Sequence, residues 1–507
     1  MSSWDLTEIY KDIDDQKILR DIESIQKNKK RVSNFHFNAG SSLEVKKILN
    51  LYTQILSKLL RIESYFTLLY FKKNNDDKIK SLYINITSQV KEVKKELENI
   101  KYEIANKSHS GIFLRKLPNH YKNWLKIANN TQININEKKY IILYDDEIKK
   151  KHIRNKHIFT HILNEYHHFF NTEALKINMN NGFEYICHKN NIPKNFSENL
   201  TNTSIKLYES KFIQDLEKKV SQEPFLIHYT HEQAVDMSKS IILSCLESFS
   251  MSFKQKASYF FFNKKIDFFP DQFKESGAFC YQTAPSLHPY ILLNLKKENW
   301  LQDTFILMHE LGHGIHQTFS KQRGVLDYLI DPSVNEINSI FCELLLFDFL
   351  INNTNNFNKK VILSFIWRRI KNLFFKQAFY HKFEVDVCLS RAHCILRDED
   401  IEKIWQRTQK NVLGQCSADN KYEWIFIPHF FKHPFYIQCY PICFYIAIKL
   451  FQIYKSNINQ DFVQKYTKLL SKGSALSINE ILKHFSMKVR EDNISRDVVI
   501  FIENIFR

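Results

Sequence analysis

Turn-forming residues are scarce in this chain, with 9 glycines and 10 prolines spread over 507 residues. Glycine and proline are the strongest breaks in regular structure, so long helices joined by few tight turns are expected. A chain of this length can also bury a substantial core in two lobes. Leu49 to Phe71 and Ile79 to Ile104 read as long amphipathic helices, with apolar residues recurring at helical spacing. Polar and turn-forming residues then concentrate from Asn178-Met179-Asn180-Asn181-Gly182 to Pro193. That stretch sets the expected boundary between an N-terminal helical domain, 1–190, and a second domain, 191–507. The expected fold class is mainly α.

Within the second domain, His309-Glu310-Leu311-Gly312-His313 is the motif that carries chemistry. Residues four apart on a helix lie one above the other, so His309 and His313 can each turn a nitrogen toward one Zn²⁺. Glu310 sits one step around the helix, where a general base could take a proton from water. Met308, Leu311, Ile315 and Phe319 form an apolar stripe, so Leu301 to Phe319 reads as a packed helix rather than a surface helix with two histidines. His316 shares the histidine face. Seven residues of helix, about 10 Å at 1.5 Å per residue, keep it from joining His309 on one ion. It suits a supporting or substrate-facing place instead.

A catalytic zinc usually takes three protein ligands and leaves a position open. After a loop carrying Gly324 and Pro332, a second helical run begins around Val334 and places Glu336 and Glu343 on one face, flanked by Ile340, Leu344 and Phe347. Buried carboxylates are rare unless paired or metal-bound. A helix that doubles back would bring Glu336 to the metal. Glu343 could bond a ligand histidine and fix its tautomer, or pair with a basic side chain.

These blocks resemble the oligoendopeptidase F family, within the thimet oligopeptidase-like zinc metallopeptidases. The resemblance rests on Trp4-Asp5-Leu6-Thr7-Glu8-Ile9-Tyr10, Ser276-Gly277-Ala278-Phe279-Cys280, Pro289-Tyr290-Ile291-Leu292-Leu293-Asn294, the His309 to His316 helix, and Glu336-Ile337-Asn338-Ser339, in that order along the chain. Ile427-Pro428-His429-Phe430-Phe431 and Pro434-Phe435-Tyr436 through Tyr440 are similar to the family's His and Tyr segment. The resemblance implies a two-lobed helical clamshell with a deep substrate channel and a small β-sheet near the active site. It also implies His429, Tyr436 and Tyr440 as donors to the oxygen that becomes negative when a peptide carbonyl is attacked. Three positions depart from the family pattern: Gln438 and Phe431 stand where relatives often carry Tyr, and Pro441 stands where a small residue is usual. Pro441 is expected to bend the helix that follows.

Tyr290 to Asn294 has the character of a short strand just before the metal helix. By resemblance it is an edge that an extended peptide can join through main-chain hydrogen bonds, which marks Gly277, Ala278, Tyr290 and Leu292 as substrate-binding candidates. The residue-level alternative is a buried core strand.

A net charge of +17 raises the possibility of nucleic acid, as do runs such as Lys27-Asn28-Lys29-Lys30-Arg31 and Lys149-Lys150-Lys151. The excess is spread along the chain without a nucleic-acid motif, and such runs are usually solvated helix faces. Nine cysteines in no paired framework suggest reduced thiols and a cytoplasmic compartment. No signal peptide is evident at the N-terminus. The apolar stretch Phe435 to Phe451, broken by Gln438, Pro441 and Lys449, reads as a core helix and not a membrane span. His157, His161 and Glu165 recur every four residues but span about 12 Å of helix, too far to close on one ion.

The sequence therefore points to a zinc-dependent metalloendopeptidase for short oligopeptides, with one Zn²⁺ per chain, no nucleic-acid or membrane partner, and a monomeric or weakly oligomeric state. The alternatives are a carboxypeptidase or dipeptidase on the same scaffold, a catalytically silent peptide-binding homologue, or a basic nucleic-acid binder.

Overall fold

The computed structural model describes residues 4–33, 42–107, 152–220, 231–275, 277–294, 300–354, 356–413, 421–456 and 460–506. Ser276 and Lys149-Lys150-Lys151 lie outside these residues. Helices dominate, and among the described residues the strands form one three-stranded sheet. Packing divides the chain into two compact units of interleaved segments: Met1–Ile133, Phe225–Asp331 and Asn459–Leu476 in the first, Asn134–Pro224, Pro332–Ile458 and Ser477–Arg507 in the second. A boundary at residue 190 falls inside the second unit.

The first unit begins with three consecutive packed helices, Gln16–Ser33, Ser42–Lys72 and Asp77–Lys107. The second and third enclose the two long amphipathic runs read from the sequence. Their apolar faces meet Trp4, Ile9 and Tyr10 from the N-terminal block, and Tyr290 and Leu292 from the sheet, in one core. In that sheet, β1 (Ile266–Asp267) runs parallel to β3 (Tyr290–Asn294), and β2 (Gly277–Tyr281) runs antiparallel on the other side of β3. The order is β1-β3-β2, so β3 is the middle strand. Tyr290 to Leu293 are all buried. A strand covered on both faces reads as a continuous apolar run without alternation.

The helix Trp300–Ser320 packs on β2 and β3, and also on the helix Met251–Phe262. Gly314 makes the second contact possible. A Cβ on Gly314 would stand 2.4 Å from Cζ of Phe260. Glycine in mid-helix costs about 1 kcal/mol relative to alanine, and here the missing methyl admits a fully buried ring that also lies edge-on to His288 at 4.5 Å.

The second unit is built on the helices Pro332–Asn352 and Cys439–Ser456, which pack along each other. Tyr436–Ser456 is long and apolar enough to pass a composition test for a membrane span, yet 72% of its apolar window is buried in the protein. Pro441 lies in the first turn of the Cys439–Ser456 helix. Its missing N–H would have had no partner within the helix there, so it starts the helix instead of bending it. Phe431 is fully buried with Trp424, Phe430 and Ile437 in an aromatic core, which explains a phenyl ring at that position.

A π-helical turn, Lys371–Lys376, joins the helices Asn356–Ile370 and Gln377–Arg391. His157, His161 and Glu165 lie exposed on the helix Lys156–Lys176, in keeping with a solvated face. Among the described residues every cysteine is a free thiol.

The polar stretch from Asn178 to Pro193, where the boundary was expected, contains a capped helix, Gly182–Lys189. The Asn181 side chain accepts from the Glu184 N–H at 3.0 Å, and Glu184 reaches back to the Asn180 N–H at 3.0 Å and to Lys194 Nζ at 2.6 Å. The Lys194 and Asn180 contacts hold the Glu184 carboxyl down to about 2. A depressed folded-state value stabilises the fold above the ordinary carboxylate range and loses that effect as pH falls through the depressed value. We therefore expect Glu184→Gln to lower stability to urea near pH 6, with the difference from wild type shrinking as pH falls from about 4.5 to about 2. At the Gly314 contact, Gly314→Ala is expected to destabilise by about 1–3 kcal/mol, the usual cost of overpacking, despite its better helix propensity. Urea unfolding at neutral pH checks this.

Candidate metal centre

The helix Trp300–Ser320 carries the histidine motif as the sequence predicts, and its apolar stripe is buried. His309 Nε2 and His313 Nε2 stand 3.2 Å apart. The helix Pro332–Asn352 begins where the second helical run was expected and carries Glu336 in its first turns, 5% exposed. One ligand atom from each of His309, His313 and Glu336 lies within 4.8 Å of the others, and among the described residues this is the group that could hold a metal ion. The donor set fits zinc. Two nitrogens each about 2.0–2.1 Å from a tetrahedral Zn²⁺ would be about 3.4 Å apart, close to the spacing of the two imidazoles.

Glu310 is buried beside the pair. Burial first, and then the Glu310 charge, push the Cys280 thiol on β2 well above its ordinary range, so this cysteine is a packing group and not a nucleophile. Its sulfur lies 3.6 Å from Gln317 Oε1 on the motif helix. His316 is 1% exposed and neither ring nitrogen has a hydrogen-bond partner. Burial, with the neighbouring His313, holds it down to about 3. It presents no surface to a substrate, which corrects the substrate-facing expectation; its ring packs within the helix bundle.

Glu336 is tied down by its own helix and by a distant tyrosine. Ser339 Oγ donates to Glu336 Oε2 at 3.2 Å, and Tyr436 Oη donates to Oε1 at 3.1 Å. Bonds of this kind orient a metal-binding carboxylate. Seven residues on, Glu343 is 2% exposed and receives Arg369 in a fork, Nε to Oε2 at 2.8 Å and Nη2 to Oε1 at 2.6 Å. Arg369, a partner that sequence reading missed, has no local signal because it lies 26 residues away on another helix.

Tyr436 belongs to a short 3₁₀ turn, Tyr436–Gln438, that leads into the Cys439–Ser456 helix. Its ring lies parallel to His429 at 6.0 Å, and Tyr440 Oη lies 3.3 Å from His429 Nε2. Burial, with the positive field of His433, lowers His429 to about 4 against the pull of Glu336. The imidazole is therefore neutral at ordinary pH and can donate one N–H. Burial and the Glu336 charge raise the Tyr436 phenol, which keeps its proton available. The three residues singled out in the sequence thus form one group, attached through Tyr436 to Glu336.

The substrate-strand expectation needs correction. Tyr290 is fully buried, its hydroxyl donating to the Asp5 carbonyl at 2.8 Å and receiving Lys265 Nζ at 2.9 Å. Leu292 is fully buried in the same core. Both are structural, and β3 has no free edge because it pairs on both sides. Gly277 and Ala278 lie on β2, which pairs within the sheet on one side only. Gly277 is exposed at φ +90°, with no atom within 4 Å of where a Cβ would stand. Glycine there adopts a backbone that other residues avoid and leaves room for another chain.

Residues 248–495 match the sequence profile of peptidase family M3, a span that contains the motif helix, Glu336 and the His429 to Tyr440 segment. This segment, just under half of the chain, resembles a peptidase M3 domain. It is 28% identical over 318 residues to an oligoendopeptidase F homolog of Borreliella burgdorferi, covering 58% of this chain and 52% of that protein. The chain thus spans about half the length of that curated relative. In fold it is similar to a solved Chlamydophila abortus chain, with a TM-score of 0.73, 18% identity, and coverage of 100% of this chain and 98% of that one. It is also similar to oligoendopeptidase-F from Enterococcus faecium, with a TM-score of 0.62, 15% identity, and coverage of 97% and 98%. These likenesses are of fold: the largely helical architecture is shared with those solved chains.

Proposed function

We propose that this chain is a member of peptidase family M3 and a zinc-dependent endopeptidase that hydrolyses internal bonds of short oligopeptides. The observation that carries the reading is the convergence of His309, His313 and Glu336 within 4.8 Å, with Glu310 buried next to the pair. These three residues would hold one Zn²⁺ per chain. A bound zinc would lower the pKa of a water toward about 7 and polarise a carbonyl oxygen.

The chain's own groups account for the remaining steps. Glu310 takes the proton from the attacking water and delivers it to the leaving amine. His429 and Tyr440 offer hydrogen bonds where the carbonyl oxygen gains charge, one such donor being typically worth about 10²–10³ in kcat, while Tyr436, whose single O–H goes to Glu336, joins them by turning from that carboxylate. A peptide in extended form would join β2 through its main chain near Gly277 and Ala278, with β3 holding that strand from behind. Main-chain recognition reads side chains loosely, which suits an enzyme for varied peptides. The reading also draws on the relatives named oligoendopeptidase F. Free thiols among the described cysteines fit a reducing cytoplasmic setting.

Glu310→Gln keeps the ligand set and removes the base. Its zinc content should match wild type while turnover of a quenched fluorescent peptide falls by several orders of magnitude. Substantial turnover with zinc bound would reassign the base. Digestion of short peptides with free and with blocked ends, mapped by mass spectrometry, should give internal cuts in both sets. Cuts confined to free termini would replace the endopeptidase reading with an exopeptidase one.

A further inference from the structure

Phe435, the residue just before Tyr436, has φ 62° and ψ 6°, in the left-handed region that a bulky residue rarely adopts. It is fully buried, with its ring against His167 at 5.4 Å, Phe170 at 5.8 Å and Phe183 at 6.2 Å. A backbone conformation of this kind persists only where the surroundings over-determine it. Here the fixing contact is a carboxyl. Glu384, 1% exposed on the helix Gln377–Arg391, accepts from the Phe435 N–H at 2.5 Å through Oε1, and Oε2 has no hydrogen-bond partner.

The other end of the same turn is held from the same helix. His381, one turn before Glu384, has Nε2 at 3.1 Å from Ser197 Oγ, which donates to Gln438 Oε1 at 3.2 Å. Gln438 is fully buried. The Gln438 side chain is thus the closing link of a clamp. Tyr436 lies between the two anchors, and its hydroxyl reaches Glu336.

We propose that Glu384 is a positioning residue: with His381 acting through Ser197, it fixes the Phe435–Gln438 turn and so determines where the Tyr436 hydroxyl stands. The inference rests on the peptidase reading for its kinetic consequence, though the clamp itself does not depend on it. A buried carboxyl is a costly way to fill space, and an apolar residue would pack there more cheaply. What it supplies is an acceptor aimed at one N–H. Burial pushes the group up to about 8, partly offset by the Phe435 N–H, so the neutral acid predominates at pH 7 and its carbonyl oxygen is the working atom. An amide can reproduce that oxygen.

The test compares three substitutions. Glu384→Gln retains the acceptor and should hold kcat within about threefold of wild type. Glu384→Leu removes it, and Glu384→Asp withdraws it by one methylene; each should lower kcat about 10- to 100-fold with KM little changed, the scale expected when a catalytic group is displaced by about 1 Å. In a Tyr436→Phe background the same changes should cost less than about twofold more, because their effect passes through the missing hydroxyl. Hydrogen exchange gives a readout independent of turnover. The Phe435 amide should be protected in wild type and Glu384→Gln and exchange faster in the aspartate variant, which keeps nearly all the packing volume if the leucine variant fails to fold. Equal losses in both backgrounds, or unchanged Phe435 protection in the aspartate variant, would overturn the assignment. Should wild type cleave no peptide at all, the proposed function fails and the exchange measurement alone decides the clamp.

Discussion

Two imidazole nitrogens with their lone pairs turned toward each other repel unless a proton or a cation lies between them. His309 and His313 sit 3.2 Å apart on one helix with a buried carboxylate nearby, and much of the surrounding structure supports that arrangement. The motif helix is packed along most of its length, with His313 buried and His309 half-buried on it. Gly314 lets a phenyl ring press directly on the helix backbone one residue beyond His313. Glu336 has a hydroxyl bond from its own helix and another from Tyr436, which leaves its carboxylate few alternative orientations.

What was legible in the sequence follows the range of the interactions. Helices at Ser42–Lys72, Trp300–Ser320 and Pro332–Asn352 were readable because amphipathic periodicity and sparse glycine and proline are local signals. The two histidines were readable for the same reason, since their geometry is set by helical spacing alone. Glu336 required one further step, because helical spacing does not relate it to the two histidines. His429 and the tyrosines came from family resemblance; nothing within their own segment indicates that Tyr436 meets a carboxylate 100 residues away.

The misreadings have the same origin. Tyr290 to Asn294 has a strand's composition, yet whether a strand lies at the edge or in the middle depends on which partners arrive from elsewhere, and β1 and β2 occupy both sides. Asn178 to Pro193 has a linker's composition, but its asparagines and glutamate cap a helix. His316 follows the motif's face in sequence, while packing seals it completely. Gln438 and Pro441 looked like departures in need of tolerance; one bonds Ser197 and the other occupies a helix's first turn.

The π-helical turn at Lys371–Lys376 sits between Arg369, which grips Glu343, and His381 and Glu384, which grip the turn before and after Tyr436. Such a turn widens the helical repeat locally, so residues on either side are counted from different origins around one axis. Removing a single residue there to restore an ordinary α-helix would rotate everything downstream by about 100° relative to Arg369. The two grips could not then both close. The phase of one helix is thus a shared property of two distant contacts, and the length of this segment is as constrained as the identity of any side chain it presents.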